Sequence, residues 1–134
     1  HKMVVENSGL LTVAALKHLD VTDKRVVSIL SGGNMDVITM SSVVQNGLIL
    51  RDRIFTVSVL LPDKPGELSK VSATIAKEQG NVIKLEHNQF VNTNRNAAVE
   101  LRITLESFGT DHKKQIIRAL EEDGYKPKVV RTSL

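Results

Sequence analysis

The residues whose types and spacing allow chemistry fall in three places. The first is Leu61-Pro62-Asp63-Lys64-Pro65-Gly66-Glu67-Leu68, where two prolines and a glycine within five positions mark a hard turn. An apolar run precedes this turn and a helical pattern follows it. It therefore delivers the chain into a helix N-terminus, whose free N–H groups favour an anionic or acceptor group. The second place is Ser31-Gly32-Gly33-Asn34, a serine hydroxyl beside backbone that can approach a ligand closely. The same four residues also read simply as the turn that ends a strand, and two glycines are not a phosphate loop. The third is Glu86-His87-Asn88, where His87 is the ionisable group in an apolar row after Ile83 and Leu85. It reads as a satisfied core or interface histidine or as a ligand contact. His1, His18, His87 and His112 have no metal-ligand spacing, and the chain has no cysteine to join them. No Ser/His/Asp nucleophile context is present, and His112, in a charged helix start, reads as solvated.

The elements that position these residues divide the chain. Residues 10–16 are apolar on nearly every side and predict a helix buried all round, with Ser8 as its cap. Residues 25–30 predict a short strand of the kind buried in a parallel sheet. A helix over 35–45 follows, closed by Asn46-Gly47. This helix–strand–helix piece, 1–50, has too much apolar surface to bury alone and reads as the remnant of a larger α/β domain.

From residue 51 to 134 the pattern is self-contained. Strand 53–61 leads through the turn to helix 66–79, which Gly80 ends. Strand 81–90 places Ile83, Leu85 and His87 on one side and Val82, Lys84, Glu86 and Asn88 on the other. A loop rich in turn formers at 92–96 precedes strand 97–106, with Val99, Leu101, Ile103 and Leu105 inward. Gly109-Thr110-Asp111 opens a helix carrying Ile116, Ile117 and Leu120, and a last strand, 126–131, contains Pro127, which favours a sheet edge. The order βαββαβ with right-handed crossovers predicts an α+β, ferredoxin-like sandwich of one antiparallel sheet with both helices on one face. So small a domain is marginal alone, and its uncovered face and edges favour pairing with a second copy.

Composition excludes several classes. The 134 residues are 41% apolar and 25% charged, normal for a globular chain. No apolar run reaches the roughly 20 residues that cross a bilayer. The net charge is +3 with dispersed Lys and Arg, and 3% aromatics are too few for a base-stacking surface, so neither a nucleic-acid nor a membrane partner is expected. Absence of cysteine fits a cytoplasmic protein.

Two resemblances join these parts. Asp63-Lys64-Pro65-Gly66-Glu67-Leu68 followed by Gly80-Asn81-Val82 resembles the ACT domain, a small regulatory module of amino-acid metabolism. The first part, Lys2-Met3-Val4-Val5-Glu6 with Ser8-Gly9 and then Val27 through Asp36, is similar to the end of the catalytic domain of the threonine dehydratases, fold-type II pyridoxal phosphate enzymes. The first resemblance implies an effector site shared between two copies. Asp63, Lys64, Gly66, Glu67 and Leu68 of one copy would face Asn81, Val82 and Ile83 of the other, with His87 a further contact. The effector would be a branched-chain amino acid such as isoleucine or valine; a nucleotide and a ligand-free dimerisation role are the alternatives. The second implies that Ser31 hydrogen-bonds the cofactor's pyridine nitrogen, with Gly32 and Gly33 passing close to the ring. It also implies a homodimer through the ACT domains within a parent tetramer. The family's Schiff-base lysine and phosphate cradle have no counterpart in this stretch, so the parent is expected to be the lyase and this region to be its regulatory end. Whether the parent is biosynthetic or catabolic stays open.

Overall fold

The computed structural model describes residues 3–88 and 98–133. The chain divides into two compact units, residues 1–44 and 45–134. The elements are α1 (Leu11–Ala15), α2 (Val37–Leu50), β1 (Ile54–Pro62), α3 (Glu67–Lys77), β2 (Asn81–Asn88), β3 (Ala98–Glu106), α4 (Thr110–Glu122) and β4 (Lys128–Val130). Two 3-10 turns, Ser8–Leu10 and Leu16–His18, flank α1.

The second unit is one antiparallel sheet in the order β2-β3-β1-β4. That is the ferredoxin-like arrangement expected from βαββαβ, and the unit is α+β as expected. Its core is built by period-two alternation. Phe55, Val57, Val59 and Leu61 of β1 and Leu101, Ile103 and Leu105 of β3 project to one face. Val71 and Ile75 of α3 and Ile116 and Leu120 of α4 close over them. Each of these eleven side chains is essentially dry, so truncating one, as in Ile75→Ala, costs about 2–5 kcal/mol. β4 pairs only with β1 and lies at an edge, in keeping with Pro127 just before it.

Three helix ends differ in detail from the sequence expectation. α2 does not stop at Asn46-Gly47 but continues to Leu50. It ends in a Schellman motif. Asp52, at φ 53°, donates its N–H to the Ile49 carbonyl at 3.0 Å, and Arg53 donates to Leu48 at 2.8 Å. An aspartate tolerates this left-handed position, which is why no glycine marks it. α3 ends the same way, with Gln79 at φ 60° and Gly80 N–H on the Ile75 carbonyl at 2.9 Å. Gly80 is thus not the left-handed residue. A Cβ there would lie 2.8 Å from Ile75 Cγ2 and 3.1 Å from Ile116 Cδ1, so glycine is needed for close helix packing. His112 is not simply solvated. Its Nδ1 accepts the Phe108 N–H at 3.0 Å, its Nε2 donates to the Glu78 carbonyl at 2.6 Å, and its ring stacks on Phe108.

The alternation in β2 is also corrected. A register shift between Val82 and Lys84 leaves Ile83 unpaired, so Val82, Leu85 and His87 align with Leu105, Ile103 and Leu101. Val82 therefore joins Leu85 and His87, while Lys84, Glu86 and Asn88 share the open face. The end of the strand expected to reach residue 90, the loop 92–96 and Ala97 lie outside the described residues.

In the first unit residues 25–30 form no strand, and among the described residues of that unit no strand lies beside them to ladder with. The helix over 10–16 is a short α-turn between 3-10 turns, and it is not buried all round: Leu11 is 67% exposed. Among the described residues this unit has short helical segments and no strand, which leaves apolar side chains such as Leu11 uncovered. Ser8 does not cap α1 but donates to the Glu6 carboxylate at 2.8 Å.

Replacing Gly80 by alanine is expected to lower unfolding stability by about 1–3 kcal/mol in urea titration, because the new methyl meets Ile75 and Ile116. An unchanged midpoint would contradict the packing described.

Candidate functional site

The turn after β1 is built from two overlapping constraints. Lys64 N–H donates to the Pro62 carbonyl at 2.8 Å, and Glu67 N–H reaches the Lys64 carbonyl at 3.4 Å. Pro65 and Gly66 occupy the central positions of that second turn, and Gly66 stands at φ 92°, ψ −14°, the type II geometry that favours glycine. No side chain caps α3, so N–H groups of its first turn stay open to solvent. Around the turn lies a recess of about 340 Å³ lined by residues 61–68 together with His87 and Val99.

Of the sequence-derived candidates, the recess brings together Asp63, Lys64, Gly66, Glu67, Leu68 and His87. It does not include Asn81, Val82 or Ile83. Asn81 aligns with Glu106, which aligns with Ile54 at the start of β1, whereas the turn follows Pro62 at the other end. Eight strand residues separate the two levels, roughly 27 Å. Within one chain Asn81 donates instead to the Glu106 carboxylate at 3.2 Å.

Electrostatics hold the rim. Glu67 pairs with Lys70 at 2.7 Å and accepts from the Tyr125 hydroxyl at 3.4 Å. The Lys70 hydrogen bond, with help from Tyr125 and the nearby Lys64 charge, holds the Glu67 carboxyl below its usual range. Tyr125 is pushed up by burial and by Glu67. Lys70 is held above the usual lysine range by its bond to Glu67. The Tyr125–Glu67 contact, linking the turn to the end of α4, is missing from the sequence reading because 58 residues separate the pair. Asp52 is a second unforeseen junction. It bonds Lys113 at 2.7 Å and Thr110 at 2.8 Å, and its carbonyl accepts the Ser107 hydroxyl. Its one legible signal was an aspartate closing a helix.

In the first unit Ser31 is exposed. A Cβ on Gly32, at φ 78°, would lie 2.1 Å from Glu6 Oε1, and one on Gly9 would strike the Ser31 carbonyl. The space at Gly32 is therefore filled by this chain's own Glu6, and Gly33 has only the Val4 carbonyl near it at 3.6 Å. For pyridoxal phosphate these residues fit one function, an exposed hydroxyl able to bond a ring nitrogen. They supply neither an imine-forming lysine nor a phosphate cradle. Among the described residues no cluster of three or more His, Asp or Glu side chains is placed to hold a metal, and no helix is long and apolar enough to cross a membrane.

With sheet order, turn and recess in place, comparison with known proteins assigns the class. Residues 55–124 match the family model of the ACT domain, and the chain belongs to that family. Among curated proteins it is 35% identical over 132 residues to an L-threonine ammonia-lyase of Geobacter sulfurreducens, covering 97% of this chain and 33% of that protein. It is 31% identical over 130 residues to an L-threonine ammonia-lyase of Thermotoga maritima, covering 96% of this chain and 32% of that one. The chain thus spans about a third of the length of these relatives. Among solved structures, the ACT domain of a prephenate dehydrogenase from Bacillus anthracis is 22% identical with a TM-score of 0.42, covering 55% of this chain and 99% of that one.

Because the folded Glu67 carboxyl titrates below its unfolded value, its pairing stabilises the fold above the ordinary carboxylate pKa of about 4 and that contribution is lost as pH falls below it. The stability gap between the native chain and Glu67→Gln, followed by urea unfolding, should therefore be present at pH 6 and close on acidification. A gap independent of pH would contradict the pairing.

Proposed function

We propose that this chain is the regulatory region of a threonine ammonia-lyase, and that its ACT domain binds a small amino-acid effector at an interface between two copies. The observation that carries this reading is the recess around the Lys64–Glu67 turn. It combines open helix N–H groups and the Lys64 ammonium, which suit a carboxylate, with Leu61, Leu68 and Val99, which suit an aliphatic side chain. A branched-chain amino acid has both features. The roughly 27 Å between the turn and Asn81 favours a site completed by a second copy, whose Asn81, Val82 and Ile83 would supply the opposite wall. Those residues lie on β2, an edge strand exposed along its whole length, and Val82, Ile83 and Leu85 are each at least 40% exposed.

The parent reaction under this reading is the conversion of L-threonine to 2-oxobutanoate and ammonia, for which the similarity to two ammonia-lyases is the support. Pyridoxal phosphate, when bound in the parent, supplies the electron sink for loss of the β-hydroxyl. This chain's contribution would be the Ser31 hydroxyl at the ring nitrogen; Gly33 would leave backbone room beside it, whereas the space at Gly32 is taken by Glu6. A neutral hydroxyl leaves that nitrogen unprotonated. The proposal includes a cytoplasmic homodimer built through the ACT domains, within a tetrameric parent.

Calorimetric titration with isoleucine, valine, threonine and adenine nucleotides tests the effector. Saturable heat with a branched-chain amino acid is expected. Gly66→Val, which forces a β-branched residue to φ 92°, should weaken that binding at least tenfold. Heat only with a nucleotide would replace the ligand class. No heat from any of them, with a stable dimer by light scattering, would leave dimerisation alone.

A further inference from the structure

The sheet face turned away from α3 and α4 carries a second, unrelated recess of about 140 Å³. Its floor is a pair of threonines, Thr56 of β1 and Thr104 of β3, directly opposite one another in the ladder. Both are more than nine-tenths buried although they face away from α3 and α4, with exposures of 6% and 4%. Their hydroxyls lie 2.9 Å apart. Two hydroxyls carry two protons and one bond between them uses one. The accepting hydroxyl keeps a proton to donate, at the floor of the recess.

The walls are cationic. Lys84 aligns with Thr104 on β2, Arg102 lies two residues along β3, and Arg131 and Ser133 come from the segment after β4. Lys84 is paired with Glu86 at 2.8 Å and Arg102 with Glu100 at 3.1 Å. Among the described residues Arg131 has no carboxylate partner. The Glu86 carboxylate also lines the recess, held by Lys84. With Glu86 on Lys84 and Glu100 on Arg102, the recess keeps an excess of one positive charge, carried by Arg131, above buried hydroxyl donors. A fork of guanidinium donors with hydroxyls beneath matches the oxygens of a small oxyanion.

We propose that this recess binds a small oxyanion, of phosphate or carboxylate size, between Arg131, Arg102 and the Thr56–Thr104 hydroxyl pair. The site is separate from the turn recess. It lies on the opposite face of the sheet and needs no second copy, so its failure leaves the effector reading untouched. The volume excludes a nucleotide and admits a single phosphate or a carboxylate on a short carbon chain.

The test is a titration of the isotopically labelled chain with inorganic phosphate, and separately with acetate, at constant ionic strength. Backbone amide shifts at Thr56, Lys84, Thr104 and Arg131 are the readout. Saturable shifts at these four positions with either anion are expected, and which anion saturates first identifies the chemistry. Arg131→Gln, an exposed change, should weaken binding at least tenfold while leaving the rest of the spectrum in place. Thr104→Val should do the same by removing a hydroxyl. If Thr104→Val misfolds, Ser133→Ala and Arg131→Gln carry the test. Linear, non-saturating shifts, or saturation unchanged in Arg131→Gln, would overturn the proposal.

Discussion

The second unit hangs from β1. It is an inner strand of the sheet, pairing with β3 from Ile54 to Pro62 and with β4 from Thr56 to Ser58. Its alternate residues Phe55, Val57, Val59 and Leu61 form the row on which both helices sit. The same strand ends in the turn whose Pro65 and Gly66 aim α3 back across the sheet. Burial of that row therefore sets where the open N–H groups of α3 lie. A register slip of one residue would turn the row to solvent and carry the recess away with it. The site is a consequence of the core.

The two ends of β1 have different characters. At its start, Asp52 ties the end of α2 to α4 through Lys113 and Thr110, and Ser107 closes on the Asp52 carbonyl. Ser107 N–H also donates to the Arg53 carbonyl at 2.8 Å, and Arg53 Nε returns to the Ser107 carbonyl at 2.8 Å. This end is cross-linked by several polar bonds. At the far end the turn is held by backbone bonds and by the Glu67–Lys70–Tyr125 contacts, and much of its lining is open to solvent. A rigid end and an open end on one strand is an arrangement suited to recognition at the open one.

Much of this was legible in the sequence because it depends on local pattern. Alternation in 97–106, helical spacing at Val71 and Ile75, and the Pro65-Gly66 pair each report their geometry within a few residues. What escaped depends on partners far along the chain or on exceptions to a residue's habit. Asp52 and Gln79 adopt the left-handed conformation that glycine usually marks, so Asn46-Gly47 reads as the end of α2 although the helix runs on to Leu50. Ile83 sits at a bulge, which shifts Val82 to the other face and is invisible to a period of two. In residues 25–30 a strand-like composition lacked the neighbours that make a strand. Candidate site residues followed the same rule: those of the turn and His87 share one recess, whereas Asn81 to Ile83 lie at the opposite end of the sheet.

The proposed effector site is assembled from the turn of one copy and the start of β2 of another. Hydrogen exchange by mass spectrometry, with and without isoleucine and over a range of protein concentrations, tests it most directly. Isoleucine is expected to slow exchange in residues 64–68 and 81–83 together, with both effects fading on dilution below the dimer. Protection of the turn alone, unaffected by dilution, would contradict it.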